Sequence, residues 1–329
     1  MTVRVEWFYE LESGFLAPGK LAGSTFQSEV AGQKVTVHLP SLPDSERPCF
    51  LGTPTGVALN GSEREWGSVL SSSGPTVHYV QIDQFVLSAD LPEPDAELLE
   101  ASESIVAEMD SWWDIVKGWL EVLTGQHLTP VGHRPVQYLG NHIPVWKVLP
   151  DGSLSKPLRI AGSTSVTSLP GTKVPLATDD VLKQCFAFAS ANTAPEISWL
   201  LIRDARSLHE VGQYRRAVID AGGAAEMAVK ALLDGQLLAT VPPGIVDYLT
   251  QRDLTLGTAA HLLTKTGFTG LPANFSANLV AVRNRATHLH RRTAPAPVTE
   301  HESWTAISLA AAVVELASPL PGGVTRLWS

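Results

Sequence analysis

The sequence predicts an α+β protein. A mostly antiparallel β region with one embedded amphipathic helix occupies residues 1–176, and an all-α bundle occupies residues 177–329. Three observations predict this. Early segments such as "KVTVHL" and "TVHYVQIDQFVLSA" are rich in β-branched and aromatic residues and partly alternate in polarity. Turn clusters ("LPSLPDSERP", "LGTPTG", "LNGS", "SSSGP") separate them. After "ATDD" the apolar residues recur at steps of three and four instead. Finally, 329 residues with 44% hydrophobic and 17% charged content make a folded chain long enough for two cores.

Taken in order, the first ninety or so residues read as short strands, a pattern that suggests an antiparallel sheet folded into a sandwich or barrel. From about Asp95 to Leu123 the chain becomes helical. Leu98, Ser102, Ile105, Met109, Trp112, Val116, Trp119 and Leu123 line one side; Asp110, Asp114, Lys117 and Glu121 occupy the other. Aromatics at helical spacing are core more often than ligand platforms, and the tryptophans are assigned to the core.

Short strands with Gly and Pro breaks return from His127 to Leu176 ("PVQYLG", "IPVWKVLP"). "ATDD" then supplies a helix N-cap. Helices follow over approximately 179–191, 195–211, 213–238, 256–266, 274–290 and 301–317. In 213–238, Tyr214, Ala217, Ala221, Ala225, Ala228 and Leu232 form the apolar stripe. Its small residues permit close helix approach, although Gly222 and Gly223 each cost helix propensity. Trp304, Ile307, Ala311 and Val314 keep the same rhythm in the last helix, completing a bundle.

Composition and motif searches narrow the function. Cys49 and Cys185 form no metal-ligand spacing and read as free thiols of a reducing cytosol. The opening "MTVRVEWFYELE" has acids where a signal peptide carries basic residues. "AISLAAAVVELA" is too short to span a bilayer and contains Glu315. A cytoplasmic protein with no membrane partner is expected. "SLPGTK" lacks P-loop spacing, and neither G-x-G-x-x-G after a strand nor G-x-S-x-G occurs. His127, His133 and His142 have no carboxylate or cysteine at ligand spacing, so structural or surface roles are favoured; no metal and no cofactor is expected.

The net charge of −9 comes entirely from residues 1–178, with 11 Lys+Arg against 20 Asp+Glu; residues 179–329 balance 13 against 13. Any nucleic-acid contact must therefore be local and C-terminal.

Against this background stands "AVRNRATHLHRR", residues 281–292. It holds four arginines, two histidines, an asparagine and no acid. Phe275, Leu279, Val282, Ala286 and Leu289 define the buried stripe of its helix. The helical count turns Asn284 nearly opposite that stripe, with His288 about 40° from Asn284 and Arg283 on the flank. A buried structural histidine is disfavoured by this geometry. Two readings remain: a solvated helix C-terminus whose cations complement the dipole, and a site for phosphate chemistry.

The string Arg283-Asn284-x-x-x-His288, in a helical bundle and before a proline break and a last apolar helix, resembles the R-x4–6-H signature of the HEPN superfamily. The upstream "GQYRRAVIDAGGAAEMAVKALL" resembles the long HEPN helix with an alanine-rich face and an internal glutamate, here Glu226. The resemblance covers about residues 195–317. In layout, a β-rich region ahead of such a bundle is similar to ApeA-type HEPN proteins of bacterial anti-phage defence.

The resemblance implies an HEPN-like C-terminal bundle and metal-independent RNA cleavage in a homodimer that pairs two motif helices. Arg283, Asn284 and His288 would be catalytic and Glu226 would support Arg283. Arg285, His290, Arg291 and Arg292 read equally as RNA-backbone contacts or as a plain helix end. The β region would recognise a trigger, a regulator or part of the substrate. The alternative is a non-catalytic HEPN-like module binding RNA, nucleotide or protein in a larger assembly. A third reading is an interaction protein whose basic helix end is incidental.

Overall fold

Two long strands organise the N-terminal half. β1 (Thr2–Pro18) and β5 (Thr76–Pro92) pair antiparallel, Thr2 opposite Pro92 and Pro18 opposite Tyr79. A bulge interrupts them, setting Leu11–Gly14 opposite Asp83 alone. The other edge of β5 carries β4 (Gly67–Ser73) along Thr76–Ile82 and β3 (Gln33–His38) along Val86–Ser88; β2 (Thr25–Val30) extends the sheet from β3. The computed structural model describes residues 2–45, 48–58, 66–73, 76–92, 95–129, 131, 176–240, 254–287 and 296–328. The strands expected over 127–176 lie almost wholly outside the described residues, as do His133 and His142.

Period-two geometry gathers Trp7, Tyr9, Phe85, Leu87, Val37, Phe26 and Ser28 on one sheet face. Helix α1 (Asp95–Thr124) covers it. Trp7 Nε1 donates to Ser102 Oγ at 3.2 Å, the Tyr9 hydroxyl to Asp110 at 2.9 Å, and Trp112 Nε1 to Ser28 Oγ at 3.0 Å. Trp112 and Trp119 are buried, as the helical spacing requires, and Trp113, off that stripe, is buried as well. On the opposite face Phe8 meets Trp66 edge-on at 5.4 Å, and His38 Nε2 shares a 2.8 Å hydrogen bond with Ser88.

The expectation of a sandwich or barrel is therefore corrected. Among the described residues there is a single open sheet, and its second layer is a helix. The apolar stripe of α1 covers the face that a second sheet would have covered.

Thr178 caps α2 (Asp179–Ser190), its hydroxyl accepting from Val181 N, with Asp179 and Asp180 in the first turn. α2 packs on β2 and α1. Phe186 stacks on Trp112 at 5.7 Å, and Ser28 Oγ donates to Phe186 O. Then come α3 (Ile197–Glu210), α4 (Tyr214–Thr240), α5 (Leu256–Lys265), α6 (Ala281–Thr287) and α7 (Glu300–Ala317). α4 is the hub, contacting α3, α5, α6 and α7 through Ala217, Ala221, Ala224, Ala225, Ala228 and Val229. Tyr214 and Leu232, at the ends of the expected stripe, are only half-buried; Tyr214 rests against the His209 ring.

The change of texture near residue 177 is a change of secondary structure across a shared core. One cluster of buried side chains runs through both halves. Trp119 Nε1 donates to Thr193 O, and Trp328 Nε1 to Val122 O. This sharing explains Glu121. It lies away from the α1 stripe, as its spacing indicates, yet is buried because α3 covers that side too.

Candidate nucleic-acid site on helix α6

Asn274, in the left-handed region at φ 60°, and Phe275 lead into a π-helical turn, Ser276–Val280, that runs directly into α6. A π turn carries one extra residue, and such turns are frequent at functional sites. Here it lets both Leu279 and Val280 enter the core with Phe275, Val282 and Ala286. Asn284 is exposed, and Arg283 sits at the border between core and solvent.

Arg283 crosses α4 at Gly222. A methyl group placed on Gly222 would meet Arg283 Cγ at 2.5 Å, well inside van der Waals contact, so the glycine provides the groove for the arginine stem. One turn further along α4, Glu226 Oε2 pairs with Arg283 Nη2 at 3.2 Å, while Glu226 Oε1 takes Lys230 Nζ at 2.9 Å. Both partners of the Arg283–Glu226 pair are about three-quarters covered, at 24% and 22% exposure. Arg283 Nη1 reaches Asn284 Oδ1 only at 3.5 Å, and Arg283 Nε is buried with no partner among the described residues. Glu226 thus anchors one corner of the guanidinium and leaves donor capacity beside Asn284.

The flanks of α6 are tied down differently. Arg285 turns to α7, where its Nη2 meets Glu302 Oε1 at 2.6 Å. Glu302 also closes the α7 capping box with Thr299. Its carboxyl is held below the usual range, first by the Thr299 backbone N–H and then by Arg285. Arg215, in the first turn of α4, donates from Nε to Ala286 O at 2.7 Å and so caps a carbonyl of the last turn of α6.

Of the residues nominated from sequence, Arg283, Asn284 and Glu226 come together at the α4–α6 contact, and Arg285 faces α7. His288, His290, Arg291 and Arg292 lie outside the described residues. The sequence marks Gly222 only as a cost to helix propensity. Two adjacent glycines inside a helix, at about 1 kcal/mol each, were a usable signal of close approach. Gly223 has no such neighbour; a methyl there would meet only Leu201 at ordinary distance. Arg215 was missed, although it lies seven residues before Gly222 on the same face of α4.

Two clefts elsewhere among the described residues suit phosphate poorly. A cleft of about 390 Å3 between the β2–β3 turn, α1 and the end of α2 is lined by Glu29, Glu108, serines and Asn192. Another, of about 370 Å3 beside the β1 bulge, holds Glu10, Glu12, Asp110 and Asp114 against Lys117. His127 pairs with Glu210 at 2.8 Å and ties the end of α1 to α3. Among the described residues, no three His, Cys, Asp or Glu side chains gather as a metal-binding group, and no helix is long and apolar enough to cross a membrane. No family model, curated protein or solved structure matches this chain, so the reading of α6 rests on its own residues.

Proposed function

We propose that this chain is a metal-independent RNA endonuclease of HEPN type, acting as a homodimer that brings two α6 helices together. The observation that carries the reading is the seating of Arg283. Its stem lies in the Gly222 groove and one corner rests on Glu226, while Nη1 stays beside the exposed Asn284. A plain solvated helix end needs no such cradle.

In this reading His288 takes the proton from a ribose 2′-hydroxyl, a task suited to a side chain that titrates near neutral pH. The 2′-oxygen bonds to the adjacent phosphorus, and the bond to the 5′-oxygen breaks. That oxygen takes a proton from solvent and leaves as a 5′-hydroxyl, a 2′,3′-cyclic phosphate remains, and His288 returns its proton to solvent. Arg283 offsets the charge growing on the phosphoryl oxygens, with a planar fork that lysine lacks. Asn284 orients the histidine or donates to a phosphate oxygen.

The test is incubation of the purified full chain with mixed cellular RNA and with DNA, with and without EDTA. RNA should be cut equally in both conditions and DNA spared. Cleavage abolished by EDTA, or cleavage of DNA, contradicts the mechanism. RNA bound but never cut favours the non-catalytic binding module.

A further inference from the structure

We infer that Arg215 of α4 is a second phosphate-binding residue of this site, seating a phosphate of the same strand nearer the start of α4 than the one held by Arg283. The inference rests on the nuclease reading and extends it to a residue that the α6 motif does not contain.

Seven residues separate Arg215 from Gly222, which brings them within about 20° of one face of α4 and about 10 Å apart along its axis. That is the face along which α6 lies, as the 2.7 Å bond from Arg215 Nε to Ala286 O shows. The bond anchors the guanidinium at Nε. Arg215 is nevertheless exposed, and among the described residues neither of its Nη atoms has a partner. The unpartnered Nη atoms of an exposed, anchored guanidinium are donors of the kind that suits a phosphate.

The neighbouring arginines have other anchors. Arg285 pairs with Glu302 on α7, its Nε left without a partner among the described residues, and Arg216 donates from Nη1 to Gln213 Oε1 at 2.7 Å, so neither is held against α6 from α4 as Arg215 is. Arg215 and Arg283 are thus both anchored at the α4–α6 contact, Arg215 on Ala286 O and Arg283 on Glu226, which lies eleven residues, about three helical turns, beyond Arg215 on the same side of α4.

The experiment measures binding of a fluorescent single-stranded RNA of mixed sequence to the full chain carrying His288→Ala, from 50 to 200 mM salt. Each lost phosphate contact on a single strand should lower the slope of log affinity against log salt by about 0.7. Arg215→Gln should show that loss, Arg215→Lys should restore the slope, and Arg216→Gln should leave it unchanged. An unchanged slope in Arg215→Gln overturns the inference, as does an equal fall in Arg216→Gln, which would report general charge rather than a seat. Failure of the nuclease reading is visible separately, as a parent protein that neither binds this RNA nor, with His288 present, cuts it.

Discussion

Two arginine–glutamate pairs bridge neighbouring helices at the same 3.2 Å, and they are built for different ends. Between α1 and α3, Glu121 is fully buried and saturated. Its oxygens accept from Leu128 N, Thr129 N and the Thr129 hydroxyl as well as from Arg203, whose other nitrogens are taken by Asp204. Burial raises the Glu121 carboxyl despite Arg203 and the two backbone donors. Between α4 and α6, Glu226 holds one corner of Arg283, and the rest of that guanidinium lacks close partners among the described residues. A saturated pair fixes a junction. A half-satisfied arginine at a solvent border is one a phosphate can complete.

The largest effect expected from this contrast is on folding. Arg203→Ala leaves Glu121 buried without its cation and should cost about 3–5 kcal/mol in urea unfolding. Arg283→Ala should cost less, about 1–2 kcal/mol, since Glu226 keeps Lys230 and some contact with solvent. Equal losses would break the comparison and make Arg283 a structural residue.

Gly222→Ala sharpens the contrast further. The alanine gains helix propensity, about 1 kcal/mol at most, but its methyl takes the space of Arg283 Cγ. Stability should stay within about 1 kcal/mol of wild type while cleavage falls at least about tenfold, a displacement of one catalytic group being worth that much. Unchanged cleavage would mean that the groove does not set the position of Arg283.

A smaller effect compares the two halves through pH. Burial lowers His38 on the sheet, with Arg4 adding to it, and lowers His209 beside α7 against the opposing pull of Glu300 and Glu210. Unfolding exposes both to ordinary protonation near pH 6.5, whereas the native protein resists it. Their contribution to stability is thus fully present above pH 6.5 and lost as pH falls through the lowered native values. Replacing both by Gln should flatten the loss of stability between pH 7 and 5. An unaltered slope would show that neither histidine is kept neutral by the fold.

Local pattern carried much of this into the sequence. The α1 stripe marks a helix because Ile105, Met109, Trp112 and Val116 recur at its period. The same count places Val282 and Ala286 inside and Asn284 outside. What stayed hidden depends on partners distant in the chain. Strand patterns in β3 and β5 do not reveal whether a helix or a second sheet covers them, and Glu121 looks like a surface residue until α3 arrives. The groove at Gly222 exists only because Arg283, 61 residues later, comes to lie across it. The π turn likewise breaks a period that the sequence continues through.

The central claim is that Arg283 and its neighbours on α6 cut RNA. It is tested most directly by analysing the ends of RNA incubated in EDTA with wild type and with Arg283→Ala, both confirmed folded. The account predicts 2′,3′-cyclic phosphates and 5′-hydroxyls from wild type, falling by about 10^2–10^3 in rate when the arginine is lost. Equal cleavage by the variant, or ends carrying 5′-phosphates, would contradict it.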